Sequence, residues 1–283
     1  MTMAYAHLVK PDSKTRLDDV DAGSHAGLSE EEAMAKLDKL GERMADLQEL
    51  LFAAKQNSLL IVLQGRDTSG KDGSIRRMLH YCNVQSSRVA SFKEPTELEA
   101  SHDFLWRVHR EVPAKGDVVV FNRSHYEDVL VVRVHKLVPK KLWKARYDQI
   151  NAFEDTLVSS GTILLKFYLH ISKGEQEKRL LAREENPDKA FKLSLSDWKE
   201  RECWDDYTEA FDDALDKCST KHAPWYIVPA NHKWFRDLAI TQAVVDALDP
   251  YAKDWHDALK DRGKKEKLEI EAYRASEGIK LPS

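Results

Sequence analysis

Apolar residues in this chain gather in short unbroken runs separated by longer stretches of helical spacing. Residues 59–63 (Leu-Leu-Ile-Val-Leu), 118–121 (Val-Val-Val-Phe) and 225–228 are such runs, 162–169 is one interrupted by Lys166, and the short stretch 88–92 is a fifth candidate. A strand that is apolar on both faces belongs inside a covered sheet, so the pattern predicts an α/β fold with a parallel sheet and helices on both faces. Ser29-x-x-Glu32 has the form of a capping box, and Met34, Leu37, Leu40, Met44, Leu47 and Leu51 then recur at helical spacing. Further helices are expected over residues 74–81, over 97–111, and in a segment that Leu157 to Gly161 closes. Residues 1–28 are polar and predict an arm laid over the surface, 29–250 the main domain, and the charged 251–283 a helical extension.

Composition narrows the field. Charged residues make up 33% and hydrophobic ones 42%, with a formal net charge of −4, so any site for a polyanion must be a local patch. Cys82, Cys203 and Cys218 are far apart, and no Cys/His cluster has zinc spacing. No apolar run approaches the ~18 residues of a membrane span, and no basic start followed by an apolar stretch opens the chain. These features predict a soluble, cytoplasmic protein that contacts neither membrane nor nucleic acid.

The run 59–63 ends in Gly65-Arg66-Asp67-Thr68-Ser69-Gly70-Lys71-Asp72-Gly73. A buried strand, a glycine turn, a lysine and a helix N-terminus in this order form a phosphate-cradling loop of the P-loop type. Gly65, Gly70 and Gly73 free the backbone to turn its N–H groups onto an anion, Thr68 and Ser69 lie between them, and Lys71 adds a charge that can follow a transferring phosphoryl group. Asp72 stands where Ser or Thr is usual. It either serves the site or caps the following helix, where the dipole favours an acid.

The next apolar strand ends in Asn122-Arg123-Ser124-His125-Tyr126-Glu127-Asp128, and ligands in open α/β sheets sit outside the carboxyl ends of strands. Carboxylates beside a phosphate are costly. At ~4 Å and an effective dielectric near 20 the repulsion is about 4 kcal/mol, unless a divalent cation lies between. Magnesium takes one or two carboxylates plus phosphate oxygens, which suits Asp67 with an acid from the second strand end. Sequence leaves open whether Glu127 or Asp128 faces the site.

Two basic stretches follow. From residue 129 to 147 there is no acid, while Arg133, Lys136, Lys140, Lys141, Lys144 and Arg146 are present. The second holds Lys178, Arg179, Arg183, Lys189, Lys192, Lys199 and Arg201, interleaved with Glu184, Glu185, Asp188 and Glu200. Two helices joined by a Pro-containing loop, at about 174–213, have the make-up of a kinase lid that closes over phosphates and supplies arginines. Surface ion pairs and a solvated face are the plainer alternatives.

Taken together these segments resemble the polyphosphate kinase type 2 family. The resemblance is carried by Gly65-x-Asp67-x-x-Gly70-Lys71-Asp72-Gly73, by Glu94-Pro95-Thr96 with Phe104-Leu105-Trp106-Arg107, and by the run from Phe121 through Glu127-Asp128 to Leu130. It continues at Arg179-x-x-x-Arg183, Pro187-x-Lys189-x-x-Lys192-x-Ser194 and Arg201-x-x-Trp204-Asp205-Asp206-Tyr207. It implies a magnesium-dependent P-loop kinase that moves phosphoryl groups between inorganic polyphosphate and AMP or ADP. Asp67, Lys71, Arg123, Asp128 and Arg183 would act on the transferring group, with magnesium at Asp67 and Asp128. Polyphosphate would lie along the loop and Arg133, Lys136, Arg179, Lys189 and Lys192; the nucleotide would meet Asn122, Arg123, Glu127 and Arg107. Asn122 stands where many members carry Asp, which weakens a metal role there. Glu127-Asp128 is similar to the branch, often termed class III, that uses both mono- and diphosphates. The resemblance also implies a homo-oligomer. The alternatives are an ATP-dependent nucleoside or nucleotide kinase, a non-catalytic nucleotide-binding module, and a nucleic-acid contact through 133–146.

Overall fold

The computed structural model describes residues 5–186 and 194–277. Its elements run β1 (His7–Val9), α1 (Glu30–Ala54), β2 (Ser58–Gln64), α2 (Lys71–His80), β3 (Ser87–Ser91), α3 (Glu97–Ala100), α4 (Trp106–His109), β4 (Val118–Asn122) and α5 (Val131–Val134). There follow α6 (Lys140–Ser159), β5 (Thr162–His170), α7 (Lys173–Glu184), α8 (Leu195–Glu200), α9 (Trp204–Cys218), β6 (Trp225–Pro229), α10 (Lys233–Leu248) and α11 (Ala252–Ser276).

The sheet order is β1-β6-β5-β2-β4-β3. The five strands expected from the apolar runs are mutually parallel. β1 adds antiparallel to β6, pairing Leu8 with Tyr226. That edge strand was not expected. Three residues of an arm carry no periodicity, and their pairing is dictated by the exposed edge of β6.

Alternate strand residues feed two cores. Leu60, Val62, Val119, Phe121, Tyr168 and Trp225 face α6 and α9, while Leu59, Ile61, Leu63, Val120, Phe167 and Val228 face α1, α2 and α10. α1 starts at the expected capping box, Ser29 Oγ accepting from Glu32 N while Glu32 accepts from Ser29 N. Leu37, Met44, Leu47 and Leu51 of its stripe are buried, and Gly41 lets it close on α2, because a Cβ there would meet the Tyr81 ring at 2.2 Å. The first half of α11 packs on α1 through fully buried Trp255.

One expected helix is broken. Residues 97–111 form two short turns because Asp103 accepts from Leu105 N and ends the periodic run.

Because β2 is central, the chain leaves it first towards β3 and β4 and later returns on the other side to β5. The carboxyl ends of β2 and β4 therefore flank a switch point, where a crevice opens.

Candidate active site

The phosphate loop leaves β2 with its backbone turned. Gly65, Thr68 and Gly70 have φ of +154°, +63° and +103°. Thr68 is the only one of these with a side chain, and such residues concentrate at sites held in place by their surroundings. Gly70 is required twice over: its φ is left-handed, and a Cβ would lie 1.7 Å from Nη1 of Arg236 on α10. The buried Ser69 and Thr68 hydroxyls have no hydrogen-bond partner among the described residues. Lys71 is 9% exposed and donates to the carbonyls of Gly65 at 2.7 Å and Arg66 at 3.2 Å.

β4 delivers Arg123 beside this loop. Arg123 has φ of +62°, and its guanidinium bridges Asp67 at 2.9 Å and Glu127 at 3.3 Å. A cleft of about 210 Å³ opens there, lined by Gly65, Asp67, Arg123, Glu127, Asp197 and Tyr207 among others. Burial pulls the Lys71 ammonium below its ordinary value, opposed first by Asp67. Burial also works against charge on Arg123, but Glu127 and Asp67 outweigh it and push its pKa up. Glu127 and Asp197 both titrate above the ordinary carboxylate value, mainly through burial.

Several expected residues lie elsewhere. Residues 125–128 form a 3₁₀ turn, in which neighbours project about a third of a turn apart, so Glu127 and Asp128 cannot face the same way. Glu127 takes the cleft. Asp128, expected at the catalytic and metal positions, turns to Arg146 at 3.1 Å and Arg107 at 3.9 Å and does not line the cleft. Arg107 is buried against Phe92 and donates to the Lys93 carbonyl, an anchor for the loop and not part of the cleft lining. Arg133 is neutralised by Glu209 and Asp213 of α9 and stacks on Trp143. Exposed Lys136 does not line the cleft either.

Arg179 spends its guanidinium on Glu175 and on the carbonyls of Thr68, Ser69, Ala230 and Asn231, so it grips the loop from behind. Arg183 pairs with Asp197 at 3.0 Å, next to the cleft. Asn122 donates to Asp72 at 3.0 Å, which ties the strand end to the first turn of α2. Gly73 sits against Arg236. Lys189 and Lys192 lie outside the described residues.

The structure also adds residues that sequence reading did not single out. Arg66 stacks on Trp204 at 3.6 Å and donates to Trp204 O and Thr208 Oγ1, which fixes the start of α9 to the phosphate loop. Its place inside the glycine loop was a usable signal. Asp197 and Arg236 gave none, because their partners are far away in sequence.

Ionised Glu127 is a liability to the fold, since its folded pKa lies above the unfolded one. The protein is favoured where Glu127 is protonated and loses that advantage as pH rises through the raised value. Glu127→Gln is therefore expected to raise the melting temperature at pH 7, with the gain shrinking as pH falls into the carboxylate range. A pH-independent change in melting temperature would refute this.

The polyphosphate kinase 2 family profile matches residues 27–256. An AMP/ADP-polyphosphate phosphotransferase of Meiothermus ruber is 46% identical over 250 residues, 87% of this chain and 93% of that protein. An ADP-polyphosphate phosphotransferase of Rhodopseudomonas palustris is 43% identical over 74% of this chain and 76% of its own length. The crystal structure of polyphosphate kinase 2 from Arthrobacter aurescens TC1 superposes with a TM-score of 0.82 at 42% identity, covering 87% of this chain and 92% of that one. With the start of the glycine loop and the strand-end arginine meeting in one cleft, and the loop's lysine holding that turn, this chain belongs to the polyphosphate kinase 2 family.

Proposed function

We propose that this chain transfers phosphoryl groups from inorganic polyphosphate to AMP and ADP. The observation that carries the reading is the meeting of Arg123 with the Gly65–Asp67 turn at one switch-point cleft, Lys71 holding the Gly65 and Arg66 carbonyls of that turn, in a chain so similar to AMP/ADP-polyphosphate phosphotransferases. The acceptor is a phosphate oxygen already ionised at neutral pH, so no general base is obligatory. Positioning and charge neutralisation supply the rate. Lys71 and the loop amides hold phosphate oxygens, while Arg123 leaves its carboxylate partners for the incoming anion.

A magnesium ion belongs to the same reading. Among the described residues no group of three or more His, Cys, Asp or Glu is placed to hold a metal. Two carboxylates, Asp67 and Glu127, flank Arg123 at the cleft, an all-oxygen donor set that suits a cation arriving with its phosphates and waters. Bound there, it would neutralise charge on the phosphoryl oxygens. Asp67→Asn is expected to raise the magnesium concentration for half-maximal activity about tenfold or more, the scale on which losing one binding group weakens a metal site. An unchanged titration would remove Asp67 from that role.

Incubation with magnesium, polyphosphate and AMP should yield ADP and then ATP. ADP formed only when ATP replaces polyphosphate would instead favour an ATP-dependent nucleotide kinase. Among the described residues no helix is long and apolar enough to cross a membrane. Self-association is part of the proposal, and light scattering measures the particle mass.

A further inference from the structure

Every carbonyl of the phosphate loop from Gly65 to Gly70 accepts a hydrogen bond. Lys71 takes those of Gly65 and Arg66, and Ser74 N takes that of Gly70. Arg179 holds Thr68 O at 3.0 Å and, with Arg236, Ser69 O at 3.3 and 3.4 Å. The carbonyl of Asp67 goes to Gln176 Nε2 at 3.1 Å. The Ser69 amide closes a turn on Arg66 O, so the loop is fixed from the carbonyl side and from within.

Gln176 links the loop to the junction of α8 and α9. It is 3% exposed, sits on α7, and its Oε1 accepts from Arg201 Nη1 at 2.9 Å. Arg201 begins the short turn between α8 and α9, and it also holds Lys173 O and Glu177. An unbroken chain thus runs from the α8–α9 junction through one amide to the backbone of Asp67, whose carboxylate pairs with Arg123. Only an amide suits that position among side chains of this length. A carboxylate cannot donate to a carbonyl, and a lysine cannot accept from a guanidinium.

We propose that Gln176 is a positioning residue that transmits the placement of the α8–α9 junction to the phosphate loop at Asp67. This inference rests on the loop being where phosphoryl transfer occurs. Gln176 borders the cleft, but its amide is engaged at both ends, by the Asp67 carbonyl and the Arg201 guanidinium, so its loss acts through the loop's shape and falls on turnover more than on nucleotide affinity.

The test uses Gln176→Glu, Gln176→Leu, Arg201→Met and the Gln176→Leu/Arg201→Met double variant. Gln176→Glu keeps the acceptor for Arg201, loses the donor to Asp67 and sets a negative charge against that carbonyl, whereas Gln176→Leu removes both contacts without adding charge. Both Gln176 variants are expected to lower kcat about tenfold with KM for AMP within about twofold, the pattern of an interaction made in the transition state. Arg201→Met alone should cost about threefold to fivefold, and almost nothing further in the Gln176→Leu background, because the two act through one contact. Hydrogen–deuterium exchange over residues 65–71 should quicken in both Gln176 variants while melting temperatures show a folded protein. Wild-type kcat and exchange in Gln176→Glu, or additive losses in the double variant, would overturn the proposal. Should wild-type protein make no ADP from AMP and polyphosphate, the functional reading fails, and the exchange rates still decide whether Gln176 holds the loop.

Discussion

Replacing Lys71 by alanine is expected to lower turnover of AMP with polyphosphate by about 10²–10³-fold or more, the scale of removing one preorganised charge that meets a developing anion. Two losses combine. The first is the ammonium itself, which offsets Asp67 and Glu127 at a cleft that must admit phosphates. A carboxylate left facing a phosphate oxygen at ~4 Å costs about 4 kcal/mol at an effective dielectric near 20, and the expected loss corresponds to about 3–4 kcal/mol, so most of that repulsion must go unscreened to reach it by this route alone. The second is the pair of hydrogen bonds to Gly65 O and Arg66 O, without which the first turn of the loop is no longer tied to α2. Asp67 keeps its partner Arg123, and both cores lie away from the change, so the variant should remain folded. Steady-state kinetics beside a circular dichroism melt separates the two effects. Wild-type-like kcat in a folded Lys71→Ala would take the loop out of the reaction.

The parts legible in the sequence were those whose information is local. The runs at 59–63 and 118–121 could hardly be other than buried parallel strands, and the glycines at 65 and 70 mark a turn that other residues cannot make. Side-chain direction was not legible. Nothing in Glu127-Asp128 says which residue a 3₁₀ turn will aim at the cleft, and that depends on Arg146 and Arg107 arriving from other elements. The partners of the dense cations were not legible for the same reason. Arg133 and Arg179 suggested a polyanion track, and in the structure Glu209, Asp213 and the loop carbonyls, all distant in sequence, engage them. Arg183 likewise finds Asp197. A charge count sees the cations of a segment and misses partners that folding brings in.

Lys166→Met is expected to destabilise the protein by about 3–5 kcal/mol at pH 7, because breaking a buried pair strands the other charge. For a domain of this size that is a melting temperature lower by on the order of 10 °C. Lys166 lies in the middle of β5 with no exposed surface. Its ammonium meets Glu154 Oε2 at 2.5 Å, Tyr126 OH at 3.0 Å and Cys218 O at 2.6 Å, and Glu154 Oε1 also engages Tyr126 OH and His125. Burial alone would raise the Glu154 carboxyl, but Lys166 and His125 hold it below the ordinary value. A depressed carboxylate contributes stability above its unfolded pKa and loses it as pH falls through the folded one. In Lys166→Met, Glu154 has lost its main counter-charge and takes up a proton more readily, so the variant's deficit should shrink as pH drops below the carboxylate range. The cluster joins α6, β5 and α9 to the turn at residues 125–128, which begins two residues after Arg123 and carries Glu127. Turnover should therefore fall in Lys166→Met even at temperatures where it is fully folded, whereas a pair that only held the core together would leave kcat unchanged there. Denaturant melts at pH 7 and pH 4, with kcat measured well below the transition, read both effects; a deficit that does not depend on pH would show that the ion pair is not its source.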